Sequence, residues 1–172
     1  PIHLLAQVCP ISALYSSLMS LFLVRHAKAG KRSQWDAEDS LRPLIADGQK
    51  QAESIAESIV RLSPTALFSS PYVRCIQTLQ PLAQLTGLTV QSHQLLAEGA
   101  DFIATVEWIH TLPDGTVMCS HGDVIPQVID ALERRGMEVS GFRDSRKGSV
   151  WVLDKHGDKF IGGHAWPPHR VD

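Results

Sequence analysis

Two rhythms of apolar residues alternate along the chain. Short unbroken runs occur in LFLV at 21–24, TALFSS at 65–70, GTVMCS at 115–120 and SVWVLD at 149–154. Their length and β-branched content suit strands covered on both faces. Between them the spacing lengthens. In DGQKQAESIAESIVRL, apolar residues fall at 52, 55, 56, 59 and 62, one face of an amphipathic helix. SPYVRCIQTLQPLAQLTG predicts a second helix, with Ser70 as cap, Pro71 in its first turn and Gly87 as its stop. Pro81 falls inside it and predicts a kink or an early end. LTVQS at 88–92 reads as a strand, DFIATVEWIHTL as a helix capped by Asp101, and VIPQVIDALERRG as a fourth helix. SVWVLD and KFIGGHA close the chain as a hairpin turning at His156 and Gly157. Strand and helix thus alternate four times, which predicts an α/β three-layer sandwich with a mostly parallel central sheet flanked by helices.

Composition narrows the function classes. A chain of 172 residues holds one sizeable core. A formal net charge of −2, with acids and bases scattered, leaves no footprint for nucleic acid or an anionic membrane. The three cysteines, Cys9, Cys75 and Cys119, lack CxxC spacing and read as packing residues, not as a disulfide framework or zinc knuckle. The eight histidines contain no HExxH and no Cys/His cluster, so no metal or cofactor is expected. Residues 1–18 are fairly apolar but carry no Lys or Arg, unlike a secretory signal, and Pro10 and the serines interrupt them. They are expected to lie outside a catalytic domain spanning 19–172, and the protein is expected in the cytoplasm.

Ligands of open parallel sheets bind beyond the carboxyl ends of the strands. At those ends this chain places Arg25 and His26, then Arg74, then Glu98 and Asp101, then His121. Two arginines, two histidines and a carboxylate suit a phosphoryl group. Guanidinium forks grip its oxygens, imidazole is a nucleophile or donor, and a carboxylic acid can protonate a leaving oxygen. Neither GxGxxG nor a Walker loop occurs.

In this order LVRHAKAG, SSPYVRCIQT and CSHGDVI resemble the histidine phosphatase superfamily, with its phosphoglycerate-mutase-like fold, over roughly residues 20–165. The usual Arg-His-Gly is Arg-His-Ala here, which keeps a small residue. LRPL with a following Gly resembles the compact bacterial branch of phosphohistidine phosphatases. RKGSVWVL is similar to a phosphatase-like domain fused behind a Nudix domain in some actinobacteria, although no Nudix motif occurs in these residues. The resemblance implies that His26 is a transiently phosphorylated nucleophile and that Arg25 and Arg74 bind phosphoryl oxygens. His121 would steady the transition state and Glu98 would donate the proton, with Asp101 the next acid. Arg42 is a further candidate substrate contact, Trp35 belongs either to a lid or to the core, and Lys147 has no assigned role. The expected activity is metal-independent hydrolysis of a phosphorylated small molecule or a phosphohistidine-bearing protein. Two rivals are a mutase of the same chemistry, for which the chain lacks long insertions, and a non-catalytic phosphate-binding domain.

Overall fold

The computed structural model describes residues 19–169, so the expectation for residues 1–18 lies outside the described residues. Seven strands form one sheet: β1 (Met19–Arg25), β2 (Ala66–Ser69), β3 (Val90–Ser92), β4 (Thr116–Ser120), β5 (Glu138–Ser140), β6 (Val150–His156) and β7 (Lys159–Trp166). Their order is β3-β2-β4-β1-β6-β7-β5. The first four run parallel, β6 is antiparallel to both β1 and β7, and β5 pairs parallel with β7. Only β6 runs against its neighbours, so the predicted three-layer sandwich with a mostly parallel central sheet is present.

Side-chain alternation along β1 shows how the layers form. Leu21 and Leu23 pack with α3 (Phe102–His110) and α4 (Val124–Arg134), in a cluster that includes Val106, Ile109, Val128 and Leu132. Phe22 and Val24 face the other way, towards α1 (Ala46–Ile59) and α2 (Val73–Thr86), where Ile55, Ile59, Leu79 and Leu82 are buried. A run apolar at every position is thus a strand buried on both faces.

Several local expectations change. The α2 helix starts at Val73, and Ser70 and Pro71 lie in the turn before it. It continues past Pro81 to Thr86, because Leu79 and Leu82, both fully buried, anchor the turns around the proline. The α1 stripe ends at Ile59, and Leu62, in a following 3₁₀ turn, is exposed. The hairpin turn is Gly157–Asp158, since His156 still pairs with Lys159. Gly87 does terminate α2, and Asp101 Oδ1 does cap α3 by accepting from the Ile103 N–H at 2.9 Å. Among the described residues, no helix is long and apolar enough to cross a membrane.

Candidate active site

The carboxyl ends of the parallel strands meet in one cleft of about 420 Å³, lined among others by Arg25, His26, Arg42, Arg74, Glu98, His121 and Lys147. A larger hollow of about 610 Å³ lies by the start of β1, lined by Ser20, Leu62, Asp114 and Trp166, and contains no arginine or lysine. The charge gathers in the smaller cleft.

Backbone bonds fix the first motif. The His26 N–H donates to Ser120 O on β4 at 3.1 Å, and the Ala27 N–H donates to Thr78 Oγ1 on α2 at 3.0 Å. The Lys28 N–H donates to Gln51 Oε1 on α1. Gly48 comes so close that a Cβ there would lie 1.9 Å from Lys28 O. The small residues after His26 thus follow from packing: Ala27 is fully buried beneath two helices.

His26 is 5% exposed, and its Nδ1 lies 2.8 Å from Ala27 O. A carbonyl only accepts, so Nδ1 carries the hydrogen and Nε2 keeps its lone pair. Burial, helped by His121, Arg74 and Lys147 and opposed by the Ala27 carbonyl, pushes the imidazole down to about 3. The ring is therefore neutral at any ordinary pH. This has a consequence for stability. The unfolded chain, with an ordinary imidazole, takes up the proton first. Stability should therefore fall as pH drops from about 6.5 towards 3, by up to about 1.4 kcal/mol per pH unit from this group. Urea unfolding in phosphate-free buffer at pH 7 and pH 5 should show a shallower pH dependence in His26→Ala than in wild type. Equal slopes would contradict a buried neutral imidazole.

Arg74, in the first turn of α2, is 1% exposed. Its Nη1 donates to Asp39 O at 2.7 Å, and its Nη2 pairs with Glu98 Oε2 at 2.8 Å and Asp39 Oδ2 at 3.0 Å. Arg25 donates through Nη1 to Ser145 O. The Nε atoms of both arginines are buried without a partner, a costly state unless an acceptor comes to them. The Arg25 guanidinium lies over Gly122, where a Cβ would stand 2.4 Å from its Cζ. This explains the glycine of the Ser-His-Gly motif.

The His121 Nε2 is 2.8 Å from Ser70 Oγ and its Nδ1 is 3.5 Å from Arg74 Nη2. The rings of His26 and His121 lie 5.3 Å apart. Glu98 arrives after a 3₁₀ turn, Gln94–Leu96, which Ser120 Oγ ties to β4 by donating to Leu96 O. Arg32 also pairs with Glu98 and with Asp39. Arg42 is buried, pairs with Asp39 at 2.8 Å and donates to Gly30 O at 2.5 Å, so it braces the loop and is not a surface residue. Burial pushes the Asp39 carboxyl up, but bonds from Arg42 and Arg32 outweigh it and hold the group well below the usual carboxylate range. The Trp35 indole donates to Glu38 O within the same polar loop. Cys75 and Cys119 are free and buried in the core, as expected of packing residues.

Sequence reading brought together Arg25, His26, Arg74, Glu98 and His121, and the fold places all five, with Arg42, in one cleft. Asp101 is exposed and occupied as a cap. Asp39, Arg32 and Gln51 were missed, since each sits in a polar stretch where only the fold reveals its partner, and Ser70, read as a helix cap, instead meets His121. Among the described residues, no three metal-type side chains gather.

Comparison with known proteins bears on the family and the fold. The sequence model described as the histidine phosphatase superfamily (branch 1) matches residues 21–101. The 8-oxo-(d)GTP phosphatase of Mycolicibacterium smegmatis is 32% identical over 155 residues, covering 87% of this chain and 48% of that protein, so the chain spans about half its relative's length. The protein histidine phosphatase SixA, solved with tungstate, superimposes with a TM-score of 0.69 at 18% identity, over 86% of this chain and 94% of that one. The mycobacterial glucosyl-3-phosphoglycerate phosphatase gives 0.62 at 16% identity, over 87% and 97%. With the Arg-His, Arg and Ser-His-Gly motifs converging at the ends of parallel strands in this fold, the chain belongs to the histidine phosphatase superfamily.

Proposed function

We propose that the domain from Met19 onward is a metal-independent phosphatase. It hydrolyses a phosphomonoester or a phosphohistidine through a covalent phosphohistidine on His26. The observation that carries this reading is the buried His26, its Nδ1 2.8 Å from Ala27 O, beside Arg25 and Arg74, whose Nε atoms are both buried without a partner. The Nε2 lone pair attacks phosphorus as the bond to the leaving oxygen breaks. Arg25, Arg74 and His121 hold the non-bridging oxygens, so guanidinium charge does the work a metal would otherwise do. Glu98 pairs with Arg74. The incoming phosphoryl group, bound as its monoanion, takes over that guanidinium and passes its proton to the released Glu98 carboxylate, which gives it to the leaving oxygen as the ester bond breaks. Glu98 then takes a proton from water as the water oxygen attacks the phosphohistidine, releasing phosphate and restoring His26.

The similar proteins carry phosphatase names with different substrates, which suits a cleft whose charged groups gather around a phosphoryl site. The test is hydrolysis of phosphomonoesters in excess chelator. Activity should persist and vanadate should block it. An activity lost in chelator and restored by zinc or magnesium would overturn the metal-free reading. Glu98→Gln should slow hydrolysis of alkyl phosphates by about 10²–10⁴ and that of nitrophenyl phosphate far less, because nitrophenolate leaves without a proton. An equal loss on both esters would make Glu98 a binding residue.

A further inference from the structure

The turn at residues 146–149 is bound to the end of β1. The Gly148 N–H donates to the carbonyls of Arg25 and His26, at 3.1 and 3.2 Å, and Ser149 O accepts from the Arg25 N–H at 3.0 Å. Lys147 is therefore delivered to the wall of the cleft, where it is half-buried. The ion pairs of the cleft fall to Arg32, Arg42 and Arg74; among the described residues Lys147 has none. Burial pushes its ammonium below the usual lysine range, and the guanidiniums of Arg42, Arg25, Arg74 and Arg32 push it further. An unpaired ammonium beside four cations is unfavourable unless an anion joins them.

The reacting phosphoryl group does not use up this charge. When Glu98 carries its proton, the four arginines are matched by Asp39, Asp123 and the two charges of one phosphoryl dianion. Lys147 and the exposed Lys31, both lining the cleft, remain unmatched. Two free positive charges beside the phosphoryl site correspond to a second phosphate.

We propose that Lys147 forms a second anion subsite, and that the substrates are compounds in which the reacting phosphoryl is followed directly by another phosphate. This rests on the phosphatase reading for the first subsite and goes beyond it in naming the substrate class. The second phosphate accepts from the Lys147 ammonium, while the terminal phosphoryl lies against Arg25, Arg74 and His26.

The probes are orthophosphate and methylenediphosphonate, a diphosphate mimic that cannot be hydrolysed, titrated calorimetrically into the whole protein. Wild type should bind the diphosphonate about tenfold tighter than orthophosphate, the effect expected of one charge-assisted contact in a partly open site. Lys147→Ala should remove that margin and weaken orthophosphate binding by less than about threefold, while Lys147→Arg should keep most of it. Equal weakening of both anions in Lys147→Ala would place the lysine on the reacting phosphoryl and overturn the proposal. So would a wild type without the preference, or a variant that retains it. Titration needs no turnover, so the two readings fail separately. A wild type with the preference that did not hydrolyse nitrophenyl phosphate would overturn the catalytic reading and leave the subsite standing.

Discussion

Gly122→Ala should fold normally and lose about 10²–10³ in kcat/KM. The Cβ it introduces would stand 2.4 Å from Arg25 Cζ and 2.5 Å from Nη2. These atoms are the far end of a long side chain, so the guanidinium can swing away without moving the backbone. The fold should therefore lose little, with a melting temperature within a few degrees of wild type. The phosphoryl group, however, loses a charged donor aimed at where negative charge develops, and such donors are worth about 10²–10³ in rate. The measurement is kcat/KM on nitrophenyl phosphate alongside thermal unfolding. Near-wild-type activity would show that Arg25 is not needed where the structure places it. A collapse in melting temperature would show that Gly122 matters to the fold and not to the site.

His26→Ala should be more severe still, with turnover reduced by about 10⁴ or more, as when a nucleophile is deleted. The buried ring has one hydrogen bond, to the carbonyl of its neighbour Ala27, and its removal exposes no unpaired side chain. The anion cradle of Arg25, Arg74 and His121 stays in place, so orthophosphate should still bind with an affinity within about tenfold of wild type. Turnover above about one hundredth of wild type, with the protein free of contaminating phosphatase, would remove His26 from the proposed role.

These expectations draw on parts of the chain that were unequally legible. The continuous apolar run of β1 and the 3.6-residue stripe of α1 declared themselves, because burial on two faces or one leaves a periodic mark. The convergence of Arg25, Arg74, Glu98 and His121 was legible too, since parallel strands send all their carboxyl ends to one edge. Strand β5 was not. Its three residues, Glu138, Val139 and Ser140, are mostly exposed and pair only with β7 at the sheet margin. The start of α2 was misplaced because Ser70 suits a helix cap chemically, yet the fold turns its hydroxyl to His121. Asp39 looked like one acid among several in a polar loop, and only the tertiary contact with Arg32, Arg42 and Arg74 gives it a role.

The central claim is the covalent intermediate on His26. It is tested most directly by rapid quenching of the enzyme during turnover of a phosphorus-labelled substrate, followed by digestion under alkaline conditions and identification of the labelled peptide. The account predicts label that is stable in alkali and labile in acid, carried by the peptide containing His26 and absent from His26→Ala. Label on another residue, or steady turnover with no protein-bound phosphorus at any time point, would contradict it.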